Sequence, residues 1–241
     1  AGLHRYTYRE YVDRVDRLRA ALAGLGVGPG DRVATFAWNS FRHFETYFAA
    51  PCQGAVIHTL NLRLHHEQVA YIANHAGDKV ICVDASLLPL FERIRPLLKT
   101  VDHVIVYPDD GAAVDPAVGL DYEELLRNTA PAVGYPDIDE NDALGMCYTS
   151  GTTGNPKGVV YSHRAVVLHT LMQVSSDLLG MRSQDVVLAI VPLFHANAWG
   201  FPYAGVMTGA KMVWPGSFMQ PEDLAGLIQS EQVTFVGGVP T

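Results

Sequence analysis

Ala143-Leu144-Gly145-Met146-Cys147-Tyr148-Thr149-Ser150-Gly151-Thr152-Thr153-Gly154-Asn155-Pro156-Lys157-Gly158 joins an apolar run to a loop rich in Gly, Ser and Thr. The first part, 143–148, reads as a short buried strand. Every residue from Thr149 to Thr153 is Ser, Thr or Gly, and Lys157 follows within the same loop. Glycines let a backbone approach a ligand closely and turn its N–H groups inward. Hydroxyls donate to phosphate oxygens, and a Lys ammonium neutralises phosphate charge. A loop leaving a strand at the carboxyl edge of a parallel sheet is where α/β proteins bind ligands. Composition alone leaves two readings side by side, a phosphate cradle and a Gly/Thr turn with a solvated lysine.

Working outward, short apolar runs alternate with helical spacing on both sides. Thr7 and Glu10 form a capping-box signature, and Tyr11, Val15, Leu18, Leu22 and Leu25 recur at helical spacing until Gly24 and Gly26. Pro29-Gly30-Asp31 is a turn before a strand at 32–38. Helices are expected at 41–50, 64–74 and 86–98, with strands at 55–57, 79–83 and 103–107. Residues 108–120 read as a surface loop, 121–127 as a short helix and 131–142 as an Asp/Pro-rich connector between two sheet-based lobes. Beyond the Gly/Thr loop come strands at 159–161, 186–191, 211–214 and 233–236, with helices from 163, at 198–207 and at 221–231. This alternation means βαβ units: an α/β fold of mostly parallel sheets flanked by helices.

The chain has 241 residues, enough for one large domain or two small ones. Apolar residues make up 49% and charged ones 17%, which argues against disorder. Mean hydropathy is +0.10, and no apolar run approaches the ~20 residues of a transmembrane helix. Seventeen Lys and Arg against 25 Asp and Glu give a net charge of −8, which disfavours nucleic acid and anionic membranes as partners. Cys52, Cys82 and Cys147 form no CxxC and read as buried thiols of a reducing, cytoplasmic compartment. The chain begins without Met, and Val233-Thr234-Phe235-Val236 leads into Gly237-Gly238-Val239-Pro240-Thr241, a loop with no element after it. Both ends read as those of a piece of a longer chain.

Spacing excludes several familiar sites. Lys157 follows Pro156 and precedes Gly158, so the Gly-Lys-Ser/Thr of a P-loop is absent. Gly24, Gly26, Gly28 and Gly30 follow a helix and precede a strand, the wrong order for a dinucleotide loop. No GxSxG elbow occurs, and His66-Glu67 is not continued to HExxH.

Residues 148–158 resemble the signature phosphate loop of the adenylate-forming superfamily, which includes acyl-CoA synthetases, firefly luciferase and nonribosomal adenylation domains. Val160-Tyr161-Ser162-His163-Arg164 fits the same pattern. Pro192-Leu193-Phe194-His195-Ala196-Asn197-Ala198-Trp199-Gly200 resembles the acyl-pocket segment of medium- and long-chain fatty acyl-CoA synthetases. Val236-Gly237-Gly238-Val239-Pro240-Thr241 and Thr59-Leu60-Asn61-Leu62-Arg63 are similar to further landmarks, in the same order. The resemblance implies ligation in two steps: a fatty acid and ATP give acyl-AMP and pyrophosphate, then CoA gives acyl-CoA and AMP. It implies that Thr149, Ser150, Gly151, Thr152, Thr153, Gly154 and Lys157 hold the ATP phosphates. Lys157 and Thr149 would serve adenylation, with the Thr149 hydroxyl toward Mg²⁺, a hard cation suited to oxygen ligands. His195, Ala196, Trp199 and Gly200 would line the substrate and acyl-AMP pocket.

Two of these residues keep a second reading. His195 alone reads as a structural histidine, and it is not assigned as a general base because the attacking carboxylate needs none. Trp199 alone reads as core. His163 and Arg164 are expected to fix a helix start and Tyr148 to pack under the loop. The family's Tyr-Gly-x-Thr-Glu segment with its magnesium-binding Glu, its ribose-binding Asp, its hinge and its C-terminal domain with the adenylation Lys have no counterpart here. Residues 1–241 are therefore expected to be part of an N-terminal AMP-binding domain, inactive alone, with the rest after Thr241. An aryl acid, a carrier-protein acceptor or a non-catalytic nucleotide- or partner-binding remnant are the alternatives. Oligomeric state stays open, with a homodimer among the states allowed.

Overall fold

Thr7 begins helix α1 (Tyr8–Gly24) as its spacing predicts. Thr7 Oγ1 accepts from the Glu10 N–H at 3.3 Å, and Glu10 Oε2 accepts from the Thr7 N–H at 2.6 Å, satisfying two donors that the first turn leaves unpaired. Tyr11, Val15, Leu18 and Leu22 form its buried face. The computed structural model describes residues 3–109, 112–149 and 155–238.

Strands β1 (Arg32–Phe36), β2 (Val56–Thr59), β3 (Asp78–Asp84), β4 (His103–Tyr107), β5 (Leu120–Asp121), β6 (Ala143–Thr149) and β7 (Lys157–Ser162) form one sheet in the order β5-β4-β3-β1-β2-β6-β7. All neighbours in it are parallel except β6 and β7. Central β1 does not alternate apolar with polar because helices cover both faces. Ala34 and Phe36 pack with Val69, Ile72 and Phe91 from α3 (His66–Ala76) and α4 (Leu88–Ile94). Val33 packs on the opposite side with α1 and with α2 (Phe41–Cys52), and Tyr122 and Leu126 of α5 (Tyr122–Arg127) join that cluster.

After α6 (His163–Val174), a second sheet is built from β8 (Val186–Leu188), β9 (Lys211–Val213) and β10 (Phe235–Val236), all parallel, in the order β10-β8-β9. Helices α7 (Phe201–Thr208) and α8 (Pro221–Glu231) belong to this part. Helix α2 is shared between the two sheets. Its Tyr47 and Phe48 rings lie 5.9 and 5.4 Å from Tyr203 of α7, and Phe44 lies 4.7 Å from Trp214 just past β9. Toward the first sheet, His43 Nε2 lies 2.8 Å from Thr35 Oγ1 of β1. His43 Nδ1 lies 3.0 Å from the Trp38 carbonyl, which can only accept. Nδ1 therefore carries the proton and Nε2 accepts from the threonine. Burial pushes the His43 imidazole down to about 4, so this neutral form persists at neutral pH.

Several expectations are corrected. The connector 131–142 does not separate two lobes, because β6 beyond it pairs with β2 in the first sheet. The connector lies along α1: the Ala132 N–H donates to Asp16 O at 3.0 Å, and buried Arg19 donates to Gly134 O at 2.8 Å. The change of sheet falls after β7 instead. The helix expected at 86–98 is divided into a 3-10 turn, α4 and a second 3-10 turn, with Pro89 and Pro96 at the starts of the last two. The helix expected from 198 begins at Phe201, and β8 ends at Leu188 instead of 191. A two-residue strand, β5, closes the loop read as irregular. All three cysteines are free thiols, but Cys52 is only half-buried. Among the described residues no helix is long and apolar enough to cross a membrane.

Candidate functional site

Two of the segments singled out in the sequence meet at the carboxyl edge of the first sheet. The antiparallel register of β6 and β7 sets Thr149 opposite Lys157, with Thr149 Oγ1 3.5 Å from the Lys157 carbonyl oxygen. Both residues are exposed. Ser150, Gly151, Thr152, Thr153 and Gly154, expected to complete the phosphate loop, lie outside the described residues. Tyr148 does not point into this mouth. Its hydroxyl is 2.7 Å from His75 Nδ1, and its ring covers Gly158, where a Cβ would stand 3.1 Å from the Tyr148 ring. Beneath it, His58 Nδ1 lies 2.7 Å from Asp78 Oδ1, both fully buried, and desolvation pushes the Asp78 carboxyl up. His163 and Arg164 fix the start of α6: their N–H groups donate to Asp142 O and Glu140 O, and Arg164 pairs with the Glu140 carboxylate at 2.6 Å.

The second segment runs over the ends of β2 and β6. Thr59 and Cys147 are register partners there. Thr59 Oγ1 donates to Asn197 Oδ1 at 3.4 Å, and the Ala196 backbone N–H faces the Cys147 thiol, two residues before Thr149. Burial pushes that thiol up, which keeps it protonated. Gly145 makes room for Asn197: a Cβ there would stand 3.0 Å from Ile57 Cγ2 and 3.3 Å from Asn197 Nδ2.

The backbone of this segment is strained. Ala196, Asn197, Ala198 and Trp199 have φ of 45°, 49°, 49° and 53°, and Gly200 follows at 81°. The left-handed region costs L-residues roughly 1–2 kcal/mol each, so neighbouring contacts must hold the turn. Asn197 and Ala198 are buried, and Gln173 Nε2 on α6 donates to the Trp199 carbonyl. Strain of this kind concentrates at functional sites. The turn also accounts for the late start of α7, since the expected helix would have needed right-handed residues from 198.

Within the turn, His195 and Ala196 are exposed, and among the described residues the His195 imidazole has no hydrogen-bond partner. Trp199 is half-buried, edge-on to Phe201 at 6.2 Å between centroids. Gly200 turns its missing Cβ toward α6, where an added methyl would meet Gln173 Oε1 at 2.8 Å and His169 Nδ1 at 3.0 Å. The sequence reading passed over Asn39, Asn197 and Gln173. A signal for Asn39 was available: it stands just past a strand and immediately before Ser40, the N-cap of α2, where a second small polar residue is not needed for capping. Gln173 and Asn197 carry no such local signal.

A model of the family described as AMP-binding enzyme matches residues 1–241. A long-chain-fatty-acid–CoA ligase of Thermus thermophilus is 52% identical over 239 residues, covering 99% of this chain and 43% of that protein. A 3-methylmercaptopropionyl-CoA ligase of Ruegeria pomeroyi is 46% identical over 242 residues, covering 100% of this chain and 45% of that protein. The chain thus spans less than half the length of these curated relatives. Among solved structures, the inhibitor-bound N-terminal domain of FACL13 from Mycobacterium tuberculosis superposes with a TM-score of 0.82 at 30% identity, covering 98% of this chain and 56% of that one.

Proposed function

We infer, because this chain belongs to the AMP-binding enzyme family, that it forms the front part of the N-terminal domain of an ATP-dependent fatty acyl-CoA ligase. The observation that carries this reading is the meeting of the Thr149–Lys157 mouth with the strained His195–Gly200 turn over the ends of β2 and β6. It also rests on the identity to the long-chain ligase.

The chemistry needs no protein nucleophile. A fatty acid carboxylate attacks the α-phosphate of ATP, releasing pyrophosphate and leaving acyl-AMP; the CoA thiolate then attacks the acyl carbonyl and AMP leaves. Two anions must be brought together, so the protein's task is positioning and charge neutralisation. Lys157 and the backbone and hydroxyls of 149–154 hold the β- and γ-phosphates. The exposed Thr149 hydroxyl is an oxygen donor of the kind Mg²⁺ accepts, and among the described residues no group of three metal-ligating side chains accompanies it. Such an ion would be held there mainly by nucleotide phosphates and water, and when bound it would neutralise phosphate charge. His195, Ala196 and Trp199 border the acid, with His195 free to face it. Half-exposed apolar side chains on α6 (Val167, Leu168, Leu171, Met172) and on β7 (Val160) fit a face that the rest of a larger domain covers.

A second reading is a shorter or sulfur-containing acid, favoured by the similarity to the methylmercaptopropionyl-CoA ligase. Aryl acids and carrier-protein acceptors rank below it. The test is pyrophosphate release by the full-length protein with ATP, CoA and a panel of short, long, methylthio and aryl acids. Long-chain acids as the best substrates support the proposal; a methylthio or aryl optimum moves it to that class.

A further inference from the structure

We propose that Asn39 is a positioning residue that fixes where the acid-binding turn leaves the second sheet; this rests on the acyl-pocket reading of residues 195–200. Asn39 lies just beyond β1, at the carboxyl edge of the first sheet, and is 4% exposed. Its Nδ2 donates to the carbonyls of Ala189 and Val191, both at 2.8 Å, and its Oδ1 accepts from the Leu193 N–H at 2.8 Å. One side-chain amide thus reads three alternate residues of a segment that bends at Val191 and turns at Leu193.

Among the described residues that segment has no register partner beyond Leu188, which pairs with Val213 of β9 and with Val236 of β10. The last register pair of β8 and β9 is Leu188 with Val213, and the Ala189 N–H to Val213 O bond at 3.1 Å ends the ladder. From there to His195 the chain must be held by something else, because buried backbone groups without partners are costly. Asn39 supplies three of those bonds, and Tyr47 adds a fourth by donating its hydroxyl to Leu193 O at 2.5 Å. Asn39 is itself tied to the second sheet's edge, since its carbonyl accepts from the Gly216 N–H at 2.8 Å. The amide therefore joins the carboxyl edges of both sheets at the entry to the strained turn. Neither Asp nor Ser can replace it: Asp lacks the two donors and Ser has only one.

A turn made of left-handed residues cannot absorb a shift at its entrance by relaxing, because its backbone is already in a costly region. A displacement near 189–193 passes directly to His195 and Trp199. The expected consequence is weaker binding of the acid with little change at the Thr149–Lys157 mouth, which hangs from other strands.

The experiment uses the full-length protein and compares wild type with Asn39→Ala and Asn39→Asp. Pyrophosphate release gives KM for a long-chain acid and for ATP, and hydrogen exchange reads peptides covering 189–195. Asn39→Ala is expected to raise the acid KM by about tenfold, the scale of a lost buried hydrogen bond, to leave the ATP KM in place, and to lose protection in 189–195 only. Asn39→Asp keeps the acceptor for Leu193 and loses both donors, so Leu193 stays protected while the acid KM still rises; it carries the test if the alanine variant does not fold. Acid and ATP constants moving by one common factor in either variant, or unchanged exchange at 189–195 in Asn39→Ala, overturn the proposal. If wild type turns over no fatty acid, the substrate reading fails instead, and the exchange comparison alone decides the clamp.

Discussion

Thr149 and Lys157 are cross-strand partners at the mouth of the antiparallel β6–β7 pair, with Thr149 Oγ1 3.5 Å from the Lys157 carbonyl. The antiparallel return matters. A parallel crossover would have delivered the next strand's start to the opposite edge of the sheet. Reversal instead keeps the lysine beside the threonine at the carboxyl edge, where the strained turn also arrives.

In the full-length protein, Lys157→Ala should slow adenylation by on the order of 10²-fold, the scale for removing one preorganised donor to developing charge. Affinity for the acid should change less, because the proposed acid site lies toward the turn. Unaltered pyrophosphate release in this variant would remove Lys157 from the mechanism.

Trp199→Ala should alter chain-length preference more than ATP affinity, since the half-buried indole belongs to the turn and not to the hairpin mouth. The measurement is kcat/KM across straight-chain acids of increasing length. One common factor for every acid would make Trp199 a packing residue.

Gly200→Ala should lower stability by about 1–3 kcal/mol, combining a left-handed backbone with overpacking. The glycine has φ of 81°, and the methyl would meet Gln173 Oε1 at 2.8 Å. Thermal unfolding checks this. An unchanged Tm would show that α6 can yield and that the close approach is not required.

Glu231 gives a pH dependence. Its buried carboxylate accepts two bonds from Arg5, at 2.6 and 2.8 Å, and one from Lys211 at 2.7 Å. Those hydrogen bonds bring it down from 4.5 to about 2. A carboxyl whose folded value is depressed stabilises the fold above its unfolded value and loses that contribution as pH falls toward the folded one. Glu231→Gln should therefore lower Tm at neutral pH, and the difference from wild type should shrink as pH falls from 4.5 toward 2. A difference constant with pH would mean that packing, not charge, ties the N-terminal segment to α8.

Residues 1–241 alone should form no acyl-AMP and bind ATP no tighter than about millimolar, because phosphate contacts in an open, hydrated site are screened. The half-exposed apolar face of α6 should also make the isolated chain self-associate. Calorimetry with ATP and sedimentation of the chain check both. A monomer that released pyrophosphate from ATP and a fatty acid would show that the site needs nothing further.

Local signals in the sequence determined much of this protein. The Thr7–Glu10 box, the glycine stops and the unbroken apolar runs set most elements close to where they lie, because capping and burial on both sheet faces act over a few residues. The Gly/Thr loop with Lys157, and the His195–Gly200 segment, stand out by residue type alone. Tertiary structure alone decided how these pieces meet. That the 131–142 connector stays on α1 and that Ala196–Trp199 wind left-handed depend on partners far away in the chain: Arg19 with Gly134, Asn197 with Thr59, Gln173 with Trp199, and Asn39 with 189–193. Side-chain amides that hold remote backbone groups leave no periodicity to read, since hydrogen bonds of this kind are specified by position in space and not by spacing along the chain.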